Sequence, residues 1–123
     1  MSDKPIAERL QVKGERRLGV QNAPALVDEK IGVLQQRCAI SKADVVLVFA
    51  ADRGQLDAIL PGLSVTAPQH AILWIAYPKL TSKLAGDLNR DFIRELAAQS
   101  GLETVSQIAI DEDWSALRVK RLS

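Results

Sequence analysis

The chain has 123 residues, 47% hydrophobic and 25% charged, a composition that suits one globular domain with a single core and excludes disordered and fibrous classes. Sixteen Lys and Arg against fifteen Asp and Glu leave a formal charge of +1, too weak a field to recruit nucleic acid or an anionic membrane, so neither partner is expected. No apolar run approaches a membrane span, the charged N-terminus lacks the apolar stretch of a secretory signal, and the single cysteine, Cys38, supports neither an internal disulfide nor a thiolate metal cluster; a cytoplasmic protein is predicted, with Cys38 a small core hydrophobe.

In chain order, residues 1–12 read as a candidate flexible lead to one domain spanning 1–123. Arg17–Gln21 reads as a short first strand. Asn22-Ala-Pro24 turns the chain into a helix with Pro24 near its first position, and Leu26, Val27, Ile31 and Leu34 share its inner face. A weak second strand is expected near Arg37–Ile40. Asp44–Ala50 is β-branched and apolar, a central strand. Asp52 caps the next helix, with Gln55 in the reciprocal capping position and Leu56, Ile59 and Leu60 turned inward, and Pro61-Gly62 is expected to end it.

Ala71–Tyr77 is apolar at every position, the signature of a strand buried on both faces. After Pro78-Lys79 and a loop, Asp87 is the expected cap of the longest helix, whose stripe is Leu88, Phe92, Ile93, Leu96 and Ala97 and whose end is Gly101. Thr104–Ile110 and Leu117–Leu122 are two final strands joined by Asp111-Glu-Asp-Trp-Ser115. Strands alternating with helices predict an α/β three-layer sandwich, a Rossmann-like, mostly parallel sheet. The last two strands have no helix between them and should form a C-terminal antiparallel hairpin.

Gly19-Val-Gln-Asn-Ala-Pro24, Asp44–Phe49, Trp74-Ile-Ala-Tyr-Pro-Lys79, Asp87–Asp91 and Asp113-Trp-Ser-Ala-Leu-Arg118 occur in an order that resembles a bacterial domain-of-unknown-function family with a reduced class I methyltransferase-like Rossmann core. The resemblance spans roughly residues 10 to 121 and implies a fold rather than an activity. It implies the sheet order second, first, third, fourth, sixth, fifth strand, with the switch point between the first and third strands. Family members often carry a second lysine after Pro-Lys, where this chain has Leu80.

Catalysis finds little support in the residue inventory. A dinucleotide or S-adenosylmethionine site needs a glycine-rich turn after the first strand, and here the turn is Gln21-Asn-Ala-Pro24. Only residues 23–43 separate Asn22 from Asp44, which is 21 residues, room for one helix and a short strand but not for the segment that carries the ribose-binding carboxylate. His70, the one histidine, precedes the fourth strand and so lies at the end of the sheet opposite the expected site. Asp111, Glu112 and Asp113 could hold a hard cation or form a solvated turn.

In such folds ligands bind beyond the carboxyl ends of the strands. That rim should gather Asn22, Asp52, Arg53, Lys79, Thr81, Ser82, Asn89, Arg90, Asp111 and Trp114. Asp52 and Asp87 are read first as helix caps, and Trp114 as a packing lid. Lys79, beside hydroxyls and a helix start, is the leading anion contact. The expected function is a non-catalytic Rossmann-like domain that binds a small anionic metabolite or a protein partner at this rim. The alternative is a reduced methyltransferase-like transferase using S-adenosylmethionine or a nucleotide. The sequence names no cofactor and no metal site.

Overall fold

A computed structural model describes residues 4–122. The chain runs α1 (Ile6–Arg9), β1 (Leu18–Gln21), α2 (Ala25–Ile31), two short 3-10 turns (Leu34–Gln36 and Ile40–Lys42), β2 (Val45–Phe49), α3 (Arg53–Thr66), β3 (Ile72–Pro78), α4 (Arg90–Gln99), β4 (Leu102–Ala109) and β5 (Trp114–Arg121). The five strands form one sheet in the order β1-β2-β3-β5-β4. β1, β2 and β3 are parallel, and β5 returns antiparallel between β3 and β4. The α/β sandwich with its C-terminal hairpin is therefore as the sequence predicts.

Side-chain alternation along β2 and β3 divides the core in two. Val46, Val48, Leu73, Ile75 and Tyr77 face one way and pack with Leu56, Leu60 and Leu63 of α3 and Ile93 and Ala97 of α4. Val45, Leu47, Phe49, Trp74 and Ala76 face the other way and meet Ile6, Ala7, Leu10, Val27 and Ile31. Every residue of β2 is at most 1% exposed, so a polar group could not be placed there without a partner. Of residues 1–12, read from sequence as a candidate flexible lead, 1–3 lie outside the described residues, whereas Ile6, Ala7, Leu10 and Val12 are buried and the indole Nε1 of Trp74 donates to the Leu10 carbonyl at 2.9 Å.

The weak second strand is reduced to a single parallel bridge, Leu18 to Arg37, with the Cys38 N–H donating to the Leu18 carbonyl at 3.1 Å. Even so, that contact lies on the outer side of β1, and the chain then crosses back to pair β2 with the other side. The reversal of direction falls between β1 and β2, where the sequence puts its switch point. Gly19 permits the outer connection to lie close, since a Cβ there would meet Ile40 Cα at 3.0 Å and Ala43 Cβ at 3.1 Å.

Several expectations about the helices are corrected. Val27 and Ile31 are buried, but Leu26 and Leu34 are 73% and 76% exposed, because α2 ends at Ile31 and presents only a narrow inner stripe. α3 does not stop at Pro61-Gly62 but continues to Thr66: Pro61 lies on the exposed side, while Leu63 and the capping residue Ala67 carry the buried row onward. The α3 end is then held by Arg121, whose guanidinium donates to the carbonyls of Ser64, Ala67, Pro68 and Gln69 at 2.7–3.3 Å. α4 starts at Arg90, not after Asp87, with Asn89 as its cap, and at 10 residues it is not the longest helix, because α3 runs on to 14.

At the opposite end of the sheet, His70 and Asp44 meet at 2.9 Å, and the other Asp44 oxygen accepts the Arg17 N–H at 2.9 Å. The Arg17 amide first, and then the His70 side chain, hold the Asp44 carboxyl below its ordinary value. A depressed carboxyl stabilises the fold above the unfolded-state value, and that contribution is lost as pH falls through the folded-state value. Asp44→Asn should therefore be less stable than the parent at neutral pH, with the gap closing as pH falls below about 4. Urea denaturation of both forms across this range checks it; a pH-independent gap contradicts it.

Candidate functional site

The carboxyl ends of β1, β2 and β3 and the start of β5 come to one edge of the sheet. Two separate arrangements occupy that edge. The first closes the gap between β1 and β2. Asn22 follows β1 with φ 64°, a left-handed conformation that Asn tolerates better than most residues. Its side-chain amide donates to the Phe49 carbonyl at 3.0 Å and to Gln55 Oε1 at 3.2 Å. The same Gln55 oxygen accepts the Ala51 N–H at 2.8 Å, and Asp52 Oδ1 accepts the Gln55 N–H at 2.8 Å. Asn22 and Asp52 are thus joined through Gln55 in a small network across the strand ends. It includes the capping interaction expected of Asp52 and Gln55.

The second arrangement is a cavity of about 670 Å³ beside the end of β3, lined by β3, the loop after it, the start of α4, and the rim ends of β4 and β5. Lys79 and Arg90 supply positive charge, Asp91 one carboxylate, Tyr77, Thr81, Asn89, Gln107 and Ser115 polar groups, and Leu80, Ile108 and Ala109 apolar surface. Neither Lys79 nor Arg90 forms an ion pair or a side-chain hydrogen bond among the described residues, whereas Asp91 lies 3.6 Å from Arg94. The Lys79 backbone is fixed by donation from its N–H to the Asp113 carbonyl at 2.8 Å. Burial pushes the Tyr77 hydroxyl up from its ordinary value, with the Arg90 charge opposing; its proton is retained at neutral pH and donated to Gln107 Oε1 at 3.4 Å.

Of the rim residues read from sequence, the cavity brings together Lys79, Thr81, Asn89 and Arg90. The others are placed in structural contacts. Arg53 gives its N–H to Asp87 Oδ1 and its Nε–H to the Asp87 carbonyl, and its guanidinium lies 4.0 Å over the Phe92 ring, tying α3 to α4. Asp87 thus serves the start of α3, while Asn89 Oδ1 accepts the Phe92 N–H at 2.8 Å. Ser82 Oγ donates to Asp113 Oδ1 at 2.7 Å. Asp111 Oδ1 accepts the Asp113 and Trp114 N–H groups, and its other oxygen pairs with Lys30 at 3.3 Å. Trp114 is buried edge-on against Phe49, ring centroids 5.1 Å apart.

Among the described residues no group of three His, Cys, Asp or Glu could hold a metal ion; the carboxylates of Asp111 and Asp113 are engaged by backbone N–H groups, Lys30 and Ser82. Tyr77, Gln107 and Ser115 are cavity residues that the sequence did not single out. Tyr77 and Gln107 lie in segments read as strands, and Ser115 in the segment read as the connection before Leu117, but β5 begins already at Trp114; only the register of β3, β5 and β4, which sets Tyr77 beside Ser115 and Ser115 beside Ala109, reveals their convergence.

No protein-family model matches the chain, and no curated protein does. Solved structures share its fold. A 1,6-didemethyltoxoflavin-N1-methyltransferase from Burkholderia thailandensis, with bound S-adenosylhomocysteine, is similar at TM-score 0.64 and 9% identity, over 98% of this chain and 78% of that one. A TehB-like SAM-dependent methyltransferase from Corynebacterium glutamicum is similar at TM-score 0.59 and 8% identity, over 98% and 89%. LepI in complex with SAM is similar at TM-score 0.56 and 11% identity, over 94% of this chain and 39% of LepI. The chain spans 33–42% of the length of LepI, MmcR and NcsB1. The fold is therefore a Rossmann-like α/β sandwich similar to that of these methyltransferases.

The residues after β1 do not fit the methyl donor that this fold implies. The turn has no glycine to let a ligand approach the backbone, and the Asn22 amide fills the mouth between β1 and β2 with its own bonds. Asn22→Ala removes both bonds and leaves a Cβ residue at positive φ, which should cost about 2 kcal/mol. Asn22→Gly loses the bonds but relieves the backbone, and should recover about half of that loss. Urea denaturation of the two variants measures the difference; equal stabilities contradict the network as described.

Proposed function

We propose that this protein is a methyltransferase-fold binding domain that takes a small anionic molecule in the cavity at the end of β3, with Lys79 and Arg90 as the counter-charges. The observation that carries the reading is two cations, from different elements and without an ion-pair partner among the described residues, on one cavity. Charged donors at the mouth of the cavity favour carboxylate or phosphate, and the apolar share of the lining favours a molecule with some hydrocarbon surface. Arg90 at the first position of α4 adds the positive end of a ten-residue helix. A protein partner offering an acidic side chain would use the same two cations.

The second reading is a reduced transferase with S-adenosylmethionine or a nucleotide as its donor. It is favoured by the fold, since the similar structures include methyltransferases with SAM or S-adenosylhomocysteine bound. The glycine-free turn and the Asn22 network weigh against it. Binding without turnover is the simpler reading of these residues.

A thermal-shift screen of small carboxylates and phosphates, followed by calorimetry, tests the proposal. Lys79→Ala and Arg90→Ala should each weaken the ligands so found by about ten-fold or more, the size expected for loss of one charge-assisted contact. Lys120→Ala, which lines a cavity together with Gln69, Ala71 and Arg121, should leave binding unchanged. Unchanged affinity in both the Lys79 and Arg90 variants would contradict the reading.

A further inference from the structure

We propose that the Ser115 hydroxyl is a ligand contact at the floor of the β3 cavity, and that the cavity selects small acids carrying a second, uncharged oxygen on an apolar body. The proposal rests on the reading of the cavity as an anion site and specifies what that anion must look like.

Ser115 stands out in the interior. Its backbone lies between Tyr77 of β3 and Ala109 of β4, and at 5% exposure it is the one buried polar or charged residue among those described. Its Oγ makes no hydrogen bond among the described residues, yet the one enclosed, unpartnered side-chain nitrogen or oxygen among them is Arg121 Nε. The Ser115 oxygen therefore keeps its access through the cavity it lines. A buried hydroxyl without a protein partner is satisfied by whatever enters that space.

Burial grades the cavity from floor to rim. Ser115 and Tyr77 are each 5% exposed, while Lys79 is half-buried and Arg90 exposed. Both cations thus sit at the mouth, and the floor offers hydroxyls only. A second charge driven to the floor would lose its hydration with no counter-ion to replace it. An uncharged hydroxyl or carbonyl oxygen there would instead pair with Ser115. The Tyr77 ring and Ala109, which share the face of Ser115, line the cavity beside it and favour hydrocarbon over a polar linker.

Calorimetric titration with 4-hydroxybenzoate and with benzoate, on the parent and on Ser115→Ala, tests this. Because the Ser115 Oγ has no internal bond, the alanine variant should fold and melt like the parent. The parent should bind 4-hydroxybenzoate about ten-fold more tightly than benzoate. Ser115→Ala should remove that preference while leaving benzoate unchanged, and Ser115→Thr should restore part of it. Equal binding of the two acids by the parent, or a preference that survives in Ser115→Ala, overturns the role of Ser115 and leaves the anion reading intact. Failure of both acids to bind at about 10 mM overturns the proposed class of ligand, an acid on an apolar body, whereas the anion reading falls only if Lys79→Ala and Arg90→Ala spare every ligand of the wider screen.

Discussion

The dry centre of the sheet governs the rest of the molecule. β2 and most of β3 are covered on both faces, with α3 and α4 on one side and α1, α2 and the N-terminal segment on the other. No polar side chain can be afforded along their length, so polar contacts collect where the strands end. One end is fastened by Asp44, His70 and the Arg17 amide. The other carries the Asn22–Gln55–Asp52 network and the cavity beside β3. Among the described residues Ser115 is the one buried polar side chain, beside the Tyr77 hydroxyl at the cavity.

That rim is divided by how each strand finishes. β1 and β2 are parallel neighbours at the switch point, where folds of this type receive a cofactor, but here Asn22, Gln55 and Asp52 knit the two strand ends together. β3 and β5 are antiparallel, so one ends where the other begins, and the loop after Pro78 and the displaced start of α4 leave a space between them. The fold is that of methyltransferases, and the residues place the open space beyond β3 rather than after β1. Likeness at 8–16% identity in the similar structures carries the architecture and leaves the choice of ligand to side chains.

The strongest signals in the sequence were those of burial. Val45–Phe49 and Ile72–Tyr77 are legible because an unbroken apolar run has few alternatives, and Gly101 is legible because it takes φ 76° after α4. Less legible were boundaries decided by packing. Pro61 reads as a stop, but the row Leu56, Leu60, Leu63 continues beneath it. Asp87 and Asn89 are both good caps, and the burial of Leu88 between them assigns Asn89 to α4 and Asp87 to α3. At the site, Lys79 and Arg90 could be picked out by position, whereas Ser115 could not: it reads as the end of the acidic connection, and its place in β5 opposite Tyr77 follows from strand register, a long-range property.

The claim that this fold has given up the donor pocket is tested most directly by titrating S-adenosylmethionine into ¹⁵N-labelled protein and following the amides of residues 19–23, 51 and 52. The predicted result is no saturable movement of these signals at millimolar concentration. Saturable shifts centred on Asn22 and Asp52 would contradict it.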